Sequence, residues 1–246
     1  VGDSGHLDLA GRQLGPAELA ELARWLATEA SAAVESIDLS GCGLTGATQT
    51  GMWNKTVKHK EWKNIDSNMD GLIALCGVLG KVRTIRLADC GLGASSVAEL
   101  AKVFHDATAA VERVILKSND ITGSKYEQGR WKYDDDMSGF TTFCEALPAA
   151  KTLKFLDLSE CRLSVKAVNE IAKAVSAGAA LTRTCLLNNP LGEGVNEIIK
   201  VFEETPRLRT LCGFEEGVQQ IDWKDSGKGV ADVVLLAAEL KACRAV

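Results

Sequence analysis

Leu153-Lys-Phe-Leu-Asp-Leu-Ser-Glu-Cys-Arg-Leu163 reads as an apolar residue, then Leu-x-Leu, then x-x-Cys-x-Leu. The same spacing returns at Val34, Ile37, Leu39, Cys42 and Leu44, and at Val82, Ile85, Leu87, Cys90 and Leu92. Val111, Val114, Leu116, Asn119 and Ile121 follow it with Asn in the Cys slot. Leu181, Leu186, Asn189 and Leu191 give a further copy, with Thr184 in one apolar place. Self-similarity at a period of roughly 20–30 residues marks a repeat array, in which each unit buries its apolar side only against its neighbours.

Within a unit, the alternating Leu-x-Leu predicts a short strand with its apolar side chains on one face. The Asn or Cys is placed to satisfy backbone groups where the chain leaves the strand. A Gly-rich bend and an amphipathic helix complete the unit. In Val97-Ala-Glu-Leu-Ala-Lys-Val-Phe104, for example, Val97, Leu100, Ala101 and Phe104 share one face. Leu156-Asp-Leu-Ser-Glu-Cys-Arg-Leu163 with its following helix resembles the ribonuclease-inhibitor-like class of leucine-rich repeats, across nearly the whole chain. The resemblance implies an α/β fold: a right-handed β–α superhelical solenoid with a curved parallel sheet inside and helices outside. It implies binding rather than any particular chemistry, because one fold hosts many functions.

A second periodicity overlies the first. Leu7-Asp-Leu9 with Leu19-Ala-Glu-Leu-Ala23 matches Ile85-Arg-Leu87 with Val97-Ala-Glu-Leu-Ala101, so units alternate between two types, as in a duplicated pair. Two units are long, with insertions at 48–70 and 124–138 that share Trp-Lys, Asp, Met and Gly at matching places. They read as loops without regular structure, emerging from one edge about 10 Å apart. The expected organisation is one domain, 1–246, of about seven repeats, with an irregular unit from about 208. There Val218-Gln-Gln-Ile-Asp-Trp223 suggests a second strand close behind Leu208-Arg-Thr-Leu211. The last helix, 231–242, lines up Val233, Leu236, Ala237 and Leu240, a face that needs a cover.

Composition narrows the classes. The chain has 246 residues, is 46% hydrophobic and 25% charged, and carries a net charge of −5. That balance fits a globular protein, and no basic block points to nucleic acid. No apolar run reaches the roughly 18 residues needed to span a bilayer. The eight cysteines form no Cys-x-x-Cys pair. Three occupy the repeat slot at 42, 90 and 161, where a small buried thiol fits the turn. Reduced structural thiols give the expectation of an intracellular, cytoplasmic setting.

Two motifs need separate treatment. Gly41-Cys-Gly43-Leu-Thr-Gly46 has dinucleotide-fingerprint spacing, but a polar insertion stands where the phosphate-binding helix would start. Asp134, Asp136, Ser138 and Glu145 fit a calcium loop at positions 1, 3, 5 and 12, with Gly139 at 6. Opposed to that, residues from Gly139 onward read as a helix with Phe140, Phe143 and Leu147 inward, and Asp and Ser before a helix are common caps. The histidines, His6, His59 and His105, are scattered, and no nucleophile–base motif appears. No cofactor is expected.

The binding candidates are the insertion aromatics and the concave sheet face. Trp53, Trp62, Tyr126, Trp131 and Tyr133 belong to residue types enriched among interface anchors, although they could equally pin their loops onto the next unit. Asp38, Arg86, Arg113, Phe155, Asp157, Arg183 and Asp222 flank the inward leucines and should line the open face. Mixed charge of this kind suits a protein partner better than a polyanion. The expected function is a non-enzymatic protein-binding scaffold or accessory subunit of a larger assembly. The alternatives are the ligand-sensing repeat region of a longer receptor and, below it, a calcium-responsive module.

Overall fold

A computed structural model describes residues 5–50, 61–106, 108–224 and 226–243. Six units follow one another, each a three-residue strand and a helix. The strands are β1 (His6–Asp8), β2 (Ser36–Asp38), β5 (Thr84–Arg86), β6 (Arg113–Ile115), β9 (Phe155–Asp157) and β10 (Arg183–Cys185). They form one sheet in the order β1-β2-β5-β6-β9-β10, all neighbours parallel. Helices α1 (Pro16–Leu26), α2 (Asp70–Cys76), α3 (Ala94–Ala101), α4 (Ser138–Ala146), α5 (Val165–Ser176) and α6 (Gly194–Glu204) cover one face. Between sheet and helices lies the spine: Ile37, Leu39, Leu44, Leu87, Leu116, Leu156, Leu158 and Leu163 are all sealed from solvent. Each such side chain contributes on the order of 1.5–3 kcal/mol by leaving water.

The Cys/Asn slot explains how strands this short keep register. Each side chain there donates back to the preceding unit: Cys42 Sγ to Leu9 O at 3.5 Å, Cys90 Sγ to Leu39 O at 3.1 Å, and Cys161 Sγ to Leu116 O at 3.2 Å. Asn119 Nδ2 donates to Leu87 O at 2.8 Å and Asn189 Nδ2 to Leu158 O at 2.9 Å. The asparagine oxygens also accept, Asn119 Oδ1 from the N–H groups of Cys90 and Leu92. Arg12 takes this slot in the first unit and is exposed, where the described residues contain no preceding strand. One residue earlier the backbone turns left-handed in every unit, at Gly11, Gly41, Asp89, Ser118, Glu160 and Asn188. The first five of these N–H groups donate to a carbonyl of the next unit.

Helices pack in pairs, matching the alternation read from the sequence. Gly71 of α2 lies against Pro16, where a Cβ would sit 2.2 Å from the Pro16 carbonyl oxygen. Gly139 of α4 meets Ala94 the same way, and a Cβ there would fall 1.7 Å from the Ala94 carbonyl oxygen. No side chain fits these contacts, so glycine is what lets each pair close.

Both insertions depart from the expected irregular loops. The first contains an antiparallel pair, β3 (Thr48–Thr50) with β4 (Glu61–Lys63). The second is the hairpin β7 (Lys125–Glu127) and β8 (Arg130–Lys132). Alternating side chains on polar segments gave no apolar stripe to read, and cross-strand pairing supplies the order instead.

The C-terminal unit corrects two further expectations. Residues 218–223 form no strand; Thr210 and Cys212 instead make isolated bridges to Arg183 and Cys185 at the sheet edge. Helix α7 (Val230–Cys243) turns a different face inward from the one its hydrophobic spacing predicts. Leu235 and Ala238 are buried together with Asp232 and Glu239, while Val233 and Leu240 are about half exposed. The two acids stand in for a missing neighbour strand. Glu239 Oε1 accepts from the N–H groups of Leu211 and Cys212 and from Thr210 Oγ1. Asp232 Oδ1 accepts from Asn188 N at 2.7 Å, the left-handed N–H that has no next-unit carbonyl. An unpaired sheet edge leaves donors unsatisfied, and α7 covers them.

Glu239→Ala is expected to lower stability in urea by about 2–4 kcal/mol, because it strands several buried donors at once. Lys241→Ala, which removes only the exposed ion pair to Glu203, should leave the urea midpoint unchanged. Seven described cysteines are free and buried. Burial pushes the Cys76 and Cys185 thiols up to about 12. Unfolded thiols ionise near pH 8.5, so this contribution is intact below that pH. As pH rises toward the folded value, stability should fall by up to ~1.4 kcal/mol per pH unit for each such thiol. Urea titrations at stepped pH measure the slope.

Candidate partner-binding surface

Strand register decides which outward side chains meet. Thr84, Arg113, Phe155 and Arg183 fall in one row across the open face, and Asp38, Arg86, Ile115, Asp157 and Cys185 in the next. The Phe155 ring therefore lies between two arginines. The Arg113 and Arg183 guanidinium carbons stand 4.6 and 4.8 Å from its centroid. This sandwich explains why Phe155 is only 8% exposed on a face that none of the described helices covers. Arg86 approaches Asp38 at 4.0 Å. Glu215, from the segment after the sheet edge, reaches over the face to Arg183 at 3.4 Å and Arg113 at 4.0 Å. Burial depresses the Arg113 pKa, the charge of Arg183 adds to that, and Glu215 opposes it.

The recurring aspartates have a local task. Asp8, Asp38 and Asp157 each accept a hydrogen bond from the N–H two residues ahead, at 2.9–3.0 Å, where the strand ends. Asp222 does not join them. It sits in an exposed loop and accepts from Lys224 N, because the strand expected around it does not form.

The insertions separate in role. Trp62 Nε1 donates to Asp89 Oδ1 at 2.8 Å, and its ring lies over Gly91 of the next unit, so Trp62 fastens the first insertion. Trp53 lies outside the described residues. In the second hairpin, Trp131 stacks on Tyr133 at 6.1 Å and meets Tyr126 edge-on at 5.5 Å. Its ring also lies on the Arg162 guanidinium at 4.5 Å, which is paired with Asp120. Tyr126 and Tyr133 remain exposed. Between this hairpin and residues 226–229 runs a groove of about 700 Å³, bordered by Trp131, Tyr133, Arg162, Glu160 and Asn188.

The side chains with calcium-loop spacing are engaged otherwise. Asp134 is buried, and its carboxylate accepts from Ser164 N, Ser164 Oγ and Ala167 N, capping α5 of the next unit. Asp66 of the first insertion serves α3 alike, through Gly93 N and Ser96 N. Asp136 accepts from Ser138, and Glu145 is exposed on α4. Among the described residues no group of three His, Cys, Asp or Glu side chains could hold a metal ion. His6 shares a hydrogen bond with Ser36, His105 is exposed, and His59 lies outside the described residues. Arg162 and Glu215 escaped sequence reading. Arg162 stands at an unspecified position of the repeat, between the Cys slot and Leu163, and Glu215 lies beyond the last unit whose register can be counted.

No protein-family model matches the chain. Mouse (Mus musculus) ribonuclease inhibitor is 25% identical over 183 residues, covering 70% of this chain and 37% of that protein. Mouse NACHT, LRR and PYD domains-containing protein 14 is 27% identical over 157 residues, covering 62% of this chain and 14% of that protein. The actin-binding site 2 of Leiomodin-1 aligns with a TM-score of 0.45 at 16% identity, covering 78% of this chain and 92% of that one. Parallel strands and outer helices, with the two curated relatives, support a ribonuclease-inhibitor-like leucine-rich-repeat protein. The chain spans well under half the length of either curated relative, and neither match indicates a catalytic family. Among the described residues no helix is long and apolar enough to cross a membrane.

Asp134→Ala should destabilise the fold by about 1–2 kcal/mol through loss of a helix cap. Calorimetric titration of the wild type with calcium should give no binding heat. A calcium-dependent rise in melting temperature that Asp134→Ala abolishes would restore the metal reading.

Proposed function

We propose that the chain is a non-enzymatic scaffold that binds another protein, as an accessory subunit of a larger assembly. In this reading residues 1–246 form one right-handed superhelical domain of about seven repeats, and the sheet is its concave recognition surface. The observation that carries it is the outward row of Arg113, Phe155 and Arg183, an aromatic ring between two arginines on a face free of helices. Arg and aromatic side chains are the types that dominate interface energetics. Arg86, Asp38 and Asp157 extend the same surface, and Tyr126, Trp131 and Tyr133 rise at its border as a second contact. Trp62 is assigned to local packing, since its N–H and ring are already engaged. Buried protonated thiols fit a reducing, cytoplasmic setting.

A second reading, the ligand-sensing repeat region of a longer receptor, draws on one observation: the match to the NACHT, LRR and PYD protein covers only 14% of that relative. Both readings place the contact on the same face. A photo-crosslinking residue at Thr84 or Tyr126 should capture a protein partner from native extract, while one at Lys166 or Glu197 on the helical side should not. Capture confined to the helical side would refute the assignment.

A further inference from the structure

The open face gathers two guanidinium groups around one ring, with the Arg86 charge near Arg113, and gives them few anions. Arg113 has Glu215 as its nearest charged partner among the described residues, at 4.0 Å. Arg183 donates to Gly213 O at 3.2 Å and lies 3.4 Å from Glu215, and its buried Nε has no hydrogen-bond partner. Asp38, beside Arg86, and Asp157, in the strand of Phe155, each already accept a backbone N–H at the strand exit. Lys117 on the same face is paired with Glu160. The cation–π contact with Phe155 leaves N–H groups of Arg113 and Arg183, beyond the Arg183 nitrogen that donates to Gly213 and Glu215, for an acceptor. The present occupant is itself a carboxylate. Glu215 is 71% exposed and comes from a segment with no strand or helix of its own, so it is held by little besides these two arginines.

We propose that Arg86, Arg113 and Arg183 form a docking site for an acidic peptide segment of a partner protein, and that Glu215 is an internal occupant which the partner's carboxylate displaces. This deepens the scaffold reading and rests on its choice of face. Carboxylates fit because a planar acceptor pairs with the guanidinium edge through two parallel hydrogen bonds. A continuous polyphosphate fits poorly, since Asp38 and Asp157 flank the arginines and the chain carries a net charge of −5. Neighbouring strands lie about 4.8 Å apart, so an extended peptide crossing them could present acidic side chains to successive arginines.

Fluorescence anisotropy with a labelled hexaglutamate peptide tests the site on the full chain at low salt. The wild type should bind hexaglutamate and not hexaglutamine, and binding should weaken as salt shortens the screening length. Arg113→Gln and Arg183→Gln should each weaken it about tenfold, the loss of one charge-assisted pair. Glu215→Gln should tighten it several-fold. Melting curves establish that each variant is folded, and Arg183→Lys, which keeps the charge and loses the planar stack, replaces Arg183→Gln if that variant unfolds. Undiminished binding by Arg113→Gln, no gain in Glu215→Gln, or preference of the same arginines for a hexauridylate would overturn the proposal. Absence of hexaglutamate binding while Thr84 still cross-links a partner would sink the acidic-peptide assignment and leave the choice of face standing.

Discussion

In every unit after the first, a buried side chain hands a hydrogen bond back to the unit before it, and the register of the array leans on that contact. Three-residue strands offer too few backbone bonds to fix their own alignment. Cys42, Cys90, Asn119, Cys161 and Asn189 supply the missing specification by donating to Leu9, Leu39, Leu87, Leu116 and Leu158. Once that link is made, every outward side chain has a fixed neighbour on each adjacent strand. The Arg113–Phe155–Arg183 sandwich is a consequence of register before it is a feature of any one residue.

The same accounting governs the end of the array. An open repeat stack leaves unpaired backbone groups at each of its sheet edges. Here the cover is a helix whose two acids mimic the carbonyls of an absent strand, Glu239 for the strand itself and Asp232 for the left-handed bend. The insertions obey it too. Asp66 and Asp134 each leave their own unit to cap the helix of the next, so a segment that looks like decoration ties neighbouring units together.

Charge on the open face carries the functional interest. Asp8, Asp38 and Asp157 each accept the N–H two residues ahead at their own strand exits, whereas Arg86, Arg113 and Arg183 have no such local task. Residues that the fold does not require, clustered on a surface the fold leaves open, are where recognition is best sought.

The repeat, the inward leucines, the alternation of unit types and the helix faces of α3 and α4 were all legible from the sequence, because apolar periodicity reports burial directly. The candidate surface was legible as a row of residues, since strand alternation alone decides that Arg113, Phe155 and Arg183 point outward. Their stacking, and the reach of Glu215 across them, required the tertiary structure, because contacts between units depend on register and on a segment with no period to count. Asp134 shows the limit most clearly. Ligand spacing along the chain suggested calcium, while the helix that consumes its carboxylate begins thirty residues later. For α7, apolar spacing pointed to Val233 and Leu240, yet the buried face carries Asp232 and Glu239, which satisfy stranded backbone donors.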